Sequence, residues 1–336
     1  MKNKEILVTG GAGYIGSHVV RQLGLAGESV VTLDNLSSGF EAAITAGDFV
    51  NGDVGDEALL DTVFESRRID TVMHFAGHTI VPESVTKPLR YYRNNAANSL
   101  TLLEACKRHG VRHVVFSSTA AVYGVIDSGR ATEETATRPI NPYGMSKLMT
   151  EQMLRDFAIA GGPSFVALRY FNVAGCEPGG AIGQSTPAAT LLVKVACEAA
   201  TGRRDHVSIF GTDYPTPDGT CIRDYIHVED LAMAHLRALD HLRGGGASAT
   251  LNCGYGHGYS VREVLRAVER ASGAPLRIVE EGRRAGDSPE IVAVADRIRD
   301  VLGWAPQHDD LDEIVRSSLA WERKIAAGDR SAYWAA

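Results

Sequence analysis

The sequence predicts an α/β protein: a doubly wound parallel sheet, followed by a smaller and more irregular mixed α/β domain. Three observations carry that expectation. Short apolar, β-branched runs alternate with amphipathic stretches through the first half of the chain. Runs such as Ile6-Leu7-Val8 and Val114-Val115-Phe116 lack polar alternation, so both faces of the sheet must be covered. A glycine-rich turn, with Gly10, Gly13 and Gly16, separates the first run from the first amphipathic stretch.

The elements follow in order. Strands are expected at Glu5–Thr9, Ser29–Asp34 and Asp48–Asn51, and over residues 71–76, 113–118 and 165–171. Helices are expected over 16–26, at Glu57–Ser66, and over 91–109 and 142–160. Asn141 suits an N-cap, and Pro142 suits the first helical position. After Asn172 the alternation breaks. Segments rich in Gly, Pro and Thr, over 175–187 and 211–219, predict long loops above a site. A helix over 188–201 and a strand at Val207–Phe210 lie between them, and residues 260–272 and 309–327 read as helices. The stretch 225–251 returns to the texture of the first domain. The expected division is therefore 1–172 with 222–252 in one domain, and 173–221 with 253–336 in the other.

The bulk numbers agree with this class. A chain of 336 residues suggests about two domains, and 44% hydrophobic with 22% charged residues excludes a disordered or fibrous chain. The net charge is −7, with no block of five basic residues, which argues against nucleic acid as a partner. An acidic surface also disfavours anionic membranes. No signal-peptide core or apolar run of ~18 residues is present. The five cysteines are widely spaced and form no CxxC pair, which predicts reduced thiols in a cytoplasmic protein and no metal site.

The glycines of Thr9-Gly10-Gly11-Ala12-Gly13-Tyr14-Ile15-Gly16 sit between a strand and a helix, as a Rossmann-type dinucleotide site requires. A Cβ there would block the turn, the approach of a pyrophosphate, or helix–strand packing. Free N–H groups and the dipole at the helix N-terminus hold the anion. Asp34 follows 18 residues after Gly16, where a carboxylate accepts from ribose hydroxyls and repels a 2′-phosphate. The expected cofactor is NAD. Asp53, after the third strand, suits either an adenine contact or a solvated turn.

Tyr143 and Lys147 stand at i,i+4 and so share a helix face. A free tyrosine, with a pKa of about 10, is a poor base at neutral pH. A nearby ammonium, helped by a positive nicotinamide ring, favours the phenolate. A third member is expected from the hydroxyls ending the fifth strand, Ser117-Ser118-Thr119, with Thr119 the choice.

These residues resemble the extended short-chain dehydrogenase/reductase family, and more finely its branch that inverts C4 of UDP-hexoses. The resemblance runs through nearly the whole chain: LVTGGAGYIGSH, LDNLSSG, VMHFAG, KPLRYYRNN, FSSTAAVYG, NPYGMSK, LRYFNVAG, DGTCIRDYIHVEDLA and, less closely, RRAGDSPEI. It implies reversible epimerisation of UDP-glucose and UDP-galactose through a 4-keto sugar, with tightly held NAD. On the cofactor side it implies Tyr14, Ile15, Asn35, Val54, Phe75, Ala76, Gly77, Asn95, Ser117 and Tyr170, beside the residues above. On the substrate side it implies Asn172, Leu192, Phe210, Arg223, Tyr225, the Arg284–Asp287 pair and Ile291. Arginine forks suit a diphosphate clamp.

Some positions depart from the family pattern. Thr79 stands where Lys is frequent, and Leu191 and Lys194 alter the segment around Leu192. Ile291 is intermediate in size at a position that gates the sugar 2-substituent. Rival readings are an epimerase of a related nucleotide sugar (UDP-N-acetylglucosamine, UDP-glucuronate or a UDP-pentose) and a non-catalytic NAD-sensing protein. A 4,6-dehydratase or decarboxylase would need an acid beside Thr119, where Ala120 and Ala121 stand. The family pairs through the helices over 91–109 and 142–160, which implies a homodimer with Leu100, Leu103, Met149 and Met153 as outer-face candidates.

Overall fold

A computed structural model describes residues 4–186, 188–284 and 287–328. Seven strands form one parallel sheet: β1 (Glu5–Thr9), β2 (Ser29–Asp34), β3 (Asp48–Asn51), β4 (Ile69–His74), β5 (His113–Thr119), β6 (Ser164–Tyr170) and β7 (Ala249–Cys253). Their order across the sheet is β7-β6-β5-β4-β1-β2-β3, so the direction of winding reverses between β1 and β4. Ligand crevices of open α/β sheets lie outside the strand ends at such a reversal.

Burial explains the strand sequences. Every residue of β4 and of β5 is buried. Helices cover both faces, so these strands carry Val, Ile and Phe without alternation. One core cluster lies between the sheet and α1 (Tyr14–Leu25) with α8 (Val228–Arg243). The other lies under α2 (Glu57–Ser66), α5 (Asn98–Arg108) and α6 (Pro142–Ile159). Each buried aliphatic side chain contributes roughly 1.5–3 kcal/mol of transfer free energy.

Some boundaries differ from the sequence expectation. β4 starts two residues early and ends at His74, because residues 75–77 leave the sheet to pass the glycine turn. The helix expected over 91–109 begins as α4 (Pro88–Tyr91), loosens into a π-helical turn at Tyr92–Ala97, and continues as α5. Periodicity cannot reveal such a turn, since apolar spacing still reads as helix. The short α3 (Val81–Thr86) precedes it.

The rest of the chain forms small sheets. Strands Tyr259–Ser260, Ile222–Arg223, Glu290–Ala293 and Arg130–Ala131 make a four-stranded sheet. Asn172–Ala174 pairs with Tyr225–His227, and Val207–Phe210 with Ile278–Glu281. These strands are too short to show a period, and most were absent from the sequence reading. Three further helices surround them: α7 (Leu192–Ala200), α9 (Val261–Ser272) and, after α10 (Asp296–Leu302), α11 (Leu311–Ala326). α7 starts four residues later than expected; Ala188 has φ +53° and cannot open a right-handed helix. The end of the expected loop at residue 187, two residues of the RRAGDSPEI motif, and the domain's reach beyond 328 lie outside the described residues.

Of the four outer-face candidates, Leu100 and Met149 are exposed. Leu103 is buried and Met153 packs against the second core, so both face inward.

Candidate active site

The site grows from the carboxyl end of the sheet. Gly10 follows β1 with φ +72°, and a Cβ there would stand 2.5 Å from the Ala76 nitrogen. A Cβ on Gly16 would strike the Gly10 carbonyl. Both glycines are therefore required by backbone contact. α1 then starts at the cavity without a side-chain cap from Gly13, and its dipole favours an anion at that end. Gly13, Tyr14, Ile15 and Gly16 line a cavity of about 470 Å³.

Asp34 ends β2 on the wall of that cavity, 9% exposed. It accepts from Ala12 N at 3.0 Å and from Leu36 N at 2.8 Å. The second bond needs Leu36 in the left-handed region, φ +56°, which costs a β-carbon residue about 1 kcal/mol. Burial raises the Asp34 carboxyl above its usual range, and the two N–H donors oppose this. Asp53 accepts from Asn35 Nδ2 at 2.8 Å and from Asn98 Nδ2 at 3.0 Å, and lines the cavity together with Asn35 and Val54. The uncapped helix end and the Asp34 carboxylate, on one wall, fit the diphosphate and ribose of a dinucleotide.

Farther along the same cavity wall stand Tyr143, Lys147, Thr119, Ser117 and Tyr170. Asn141 caps α6 by accepting from Gly144 N at 2.8 Å, with Pro142 in the first turn. The helix thus starts at the cavity and presents Tyr143 and Lys147 to it. Lys147 Nζ donates to Ser117 O at 2.9 Å, and Ser117 Oγ meets Tyr170 OH at 2.5 Å. Burial brings the Lys147 ammonium down to about 8.

Burial also pushes the Tyr143 phenol above its ordinary value, and the neighbouring Thr119 hydroxyl works the other way. The net direction is opposite to the lowering expected from Lys147.

The cavity wall continues through Phe75, Ala76, Gly77 and Thr79 to Asn172, Leu191, Arg223, Asp287 and Ile291. Arg223 Nη2 lies 3.6 Å from Asp287 Oδ1. The Asp287 carboxylate therefore pairs with Arg223, and its backbone N–H donates to Arg284 O at 3.3 Å. The Arg284 side chain stacks on Phe210, guanidinium carbon 3.5 Å from the ring centroid, and neither lines the cavity. Leu192 and Tyr225 are also absent from the wall; both pack against the first core. Lys194 is buried against Glu322 of α11, away from the cavity, so the replacement there leaves the wall untouched.

Asn95 sits behind the wall, in the π-helical turn. It accepts from His78 N at 2.8 Å, and donates to His78 O at 3.0 Å and to Ser146 Oγ at 3.1 Å. It fixes the 75–79 loop to α6. The wall residues that sequence reasoning missed include His78, Gln184, Thr186 and Thr190, all from loops. The Gly-, Pro- and Thr-rich composition over 175–187 hinted at Gln184 and Thr186, and nothing in the sequence signalled His78 or Thr190. Among the described residues, no cluster of three or more His, Cys, Asp or Glu is placed to hold a metal ion. None of their helices is long and apolar enough to cross a membrane.

A family model described as the NAD dependent epimerase/dehydratase family matches residues 6–254. A UDP-glucose 4-epimerase of Azospirillum brasilense is 62% identical over 96% of this chain and 92% of its own length. The crystal structure of UDP-glucose 4-epimerase from Brucella ovis in complex with NAD superposes with a TM-score of 0.93 at 43% identity, covering 96% of this chain and 99% of that one. UDP-glucose 4-epimerase from Bifidobacterium longum, in complex with NAD+ and UDP, gives 0.90 at 39% identity, over 97% and 99%.

Proposed function

The chain belongs to the NAD-dependent epimerase/dehydratase family, and on that premise we propose that it interconverts UDP-glucose and UDP-galactose by inverting C4. The observation that carries this is a single unbroken cavity. It runs from the glycine turn and Asp34, past Tyr143, Lys147 and Thr119, to Arg223 and Ile291. A dinucleotide at one end would thereby face a nucleotide sugar at the other, with the tyrosine between them.

NAD would be held by the α1 N-terminus, Asp34 and Lys147, and when bound it supplies the hydride acceptor and, in the return step, the donor. Tyr143 as phenolate takes the proton of the sugar 4-hydroxyl at its Oη and later returns it. Thr119 beside Tyr143 holds the hydroxyl in line. Lys147, with its ammonium on Ser117 O, keeps positive charge at the phenolate. Arg223 anchors the diphosphate, so the reacting ring can turn while the nucleotide stays bound. Ala120 and Ala121 on the wall beside Thr119 provide no acid for elimination, which disfavours a dehydratase.

The reading extends to a two-part chain, with 1–172 and 222–252 holding the cofactor and 173–221 and 253–336 the sugar nucleotide. The pairing of β7 with β6 supports the return to the first sheet. It also includes a cytoplasmic homodimer acting in galactose metabolism. Five free cysteines, all buried, suit a reducing compartment. The test is to incubate purified protein with UDP-galactose, without added NAD, and separate the products. UDP-glucose is expected; no conversion even after NAD is supplied would refute the activity.

A further inference from the structure

We propose, on the 4-epimerase reading, that the buried ion pair of Glu151 and Arg169 is a positioning device that sets α6 against β5 and β6, and so aims Tyr143, Lys147 and Thr119. Glu151 is fully buried and Arg169 is 3% exposed. The guanidinium forks onto the carboxylate: Nε donates to Oε1 at 2.9 Å and Nη2 to Oε2 at 2.6 Å. Arg169 Nη1 donates to Tyr123 OH at 3.0 Å, and Ser118 Oγ donates to Glu151 Oε1 at 2.5 Å. Tyr123 OH in turn donates to Asn252 Oδ1 at 2.6 Å, and Asn252 Nδ2 to Ala131 O at 2.9 Å.

Each member neighbours one reacting group. Glu151 lies one helical turn beyond Lys147 on α6. Ser118 lies between Ser117 and Thr119 on β5, and Arg169 precedes Tyr170 on β6. Ser118 and Arg169 are register partners. Strand alternation turns Ser117 and Thr119 toward the cavity and Ser118 away from it, onto Glu151. Glu151, Arg169, Ser118 and Tyr123 are all absent from the cavity wall, so they act only through their neighbours. The chain of bonds also reaches Ala131, whose strand pairs with the strand carrying Ile291.

Stability alone does not call for such a pair. Replacing a buried ion pair by apolar groups of similar volume is often neutral or stabilising. What the bidentate fork adds is direction, because it fixes both distance and angle between two elements. Lys147 ties α6 to β5 at the cavity end, and the fork ties it again one turn deeper. Asn95 holds Ser146 on the side of the 75–79 loop, and the fork adds the tie that sets the angle of α6 to β6. A displacement of about 1 Å at reacting atoms costs on the order of 100-fold in rate.

The test compares Glu151→Leu/Arg169→Met, which is apolar, with Arg169→Lys, which keeps charge and loses the fork. The double variant should melt near the wild type and keep KM for UDP-galactose, while kcat falls roughly 10–100-fold. Arg169→Lys should lose less. The rise of kcat with pH should move to higher pH in both, since Thr119 no longer faces the phenol squarely. The groups around that phenol are Lys147 on its own helix, Thr119 on β5 and Tyr170 on β6, with Arg223 and Asp287 on the same cavity.

A second readout needs no turnover: tyrosinate absorbance of each protein with NAD, minus that of the same protein carrying Tyr143→Phe, titrates Tyr143 directly. A folded variant with wild-type kcat and an unmoved titration overturns the proposal, and so does loss of fold in both variants, which would make the pair merely structural. A wild-type protein inert toward UDP-galactose refutes the activity instead, and the titration then decides this point alone.

Discussion

At the scale of single residues, the proposed chemistry turns on the Tyr143 hydroxyl, which is buried beside Thr119 with its phenol held above the ordinary value. Tyr143→Phe removes the titrating group and keeps the ring. Turnover should fall at least ~100-fold, the usual scale of acid–base catalysis, with UDP binding little changed by calorimetry. Near-normal turnover would remove Tyr143 from its role. Ile291 lines the same cavity and is stiff about χ1. It is smaller than tyrosine, so the pocket should admit N-acetyl sugars at reduced efficiency. A single steric contact discriminates by about 10–200-fold. Ile291→Tyr should therefore depress activity on UDP-N-acetylglucosamine and spare UDP-glucose; an equal response of both substrates would separate Ile291 from the sugar.

At the scale of elements, what the sequence made legible was local. The glycine turn, Asp34 at the end of β2, and Tyr143 with Lys147 on one helix face are each defined within a few residues of a strand or helix end. Their placement follows from the element itself. What stayed hidden depends on contacts between distant segments. The Asp287 carboxylate faces Arg223, 64 residues earlier in the chain, while the Arg284 guanidinium stacks on Phe210. Asn95 clamps the 75–79 loop only because the helix before α5 loosens into a π-helical turn. The Glu151–Arg169 fork joins a helix and a strand 18 residues apart, with no motif to signal it. The β2 turn yields its own prediction. Asp34 already accepts two backbone N–H groups, and its second oxygen is held by a left-handed Leu36. A 2′-phosphate would meet a fixed carboxylate that cannot turn away. Apo-protein reconstituted with NADP should recover far less activity than with NAD, and equal recovery would refute that selectivity.

At the scale of the whole molecule, burial bears on the pH range of stability, and exposed apolar groups bear on the proposed assembly. Burial brings His18 and His235 down to about 4, and His74 and His227 down to about 3, so all four are neutral in the fold. Their unfolded value is about 6.5. The stability they contribute is therefore complete above pH 6.5 and is lost as pH falls toward their folded values. The slope is at most about 1.4 kcal/mol per pH unit for each histidine. The melting temperature should drop between pH 7 and pH 5, and a flat profile there would show that these rings titrate in the fold as they do in the unfolded chain. The outer surface raises a different question. Val85, Leu89, Leu100 and Met149 are exposed, Leu89 to 79%, and they come from α3, α4, α5 and α6, which pack side by side. Adjacent apolar side chains left open on neighbouring helices mark an interaction surface. One patch that pairs with its own copy about a two-fold axis closes on itself and stops at two chains. That contact would bring α6, the helix that carries Tyr143 and Lys147, of each copy against the other. Light scattering at micromolar concentration should give twice the 36.0 kDa chain mass. Leu89→Asp with Leu100→Asp should return the mass to one chain while leaving the fold intact by circular dichroism. A wild-type mass of one chain, or a dimer indifferent to both charges, would place the contact elsewhere or abolish it.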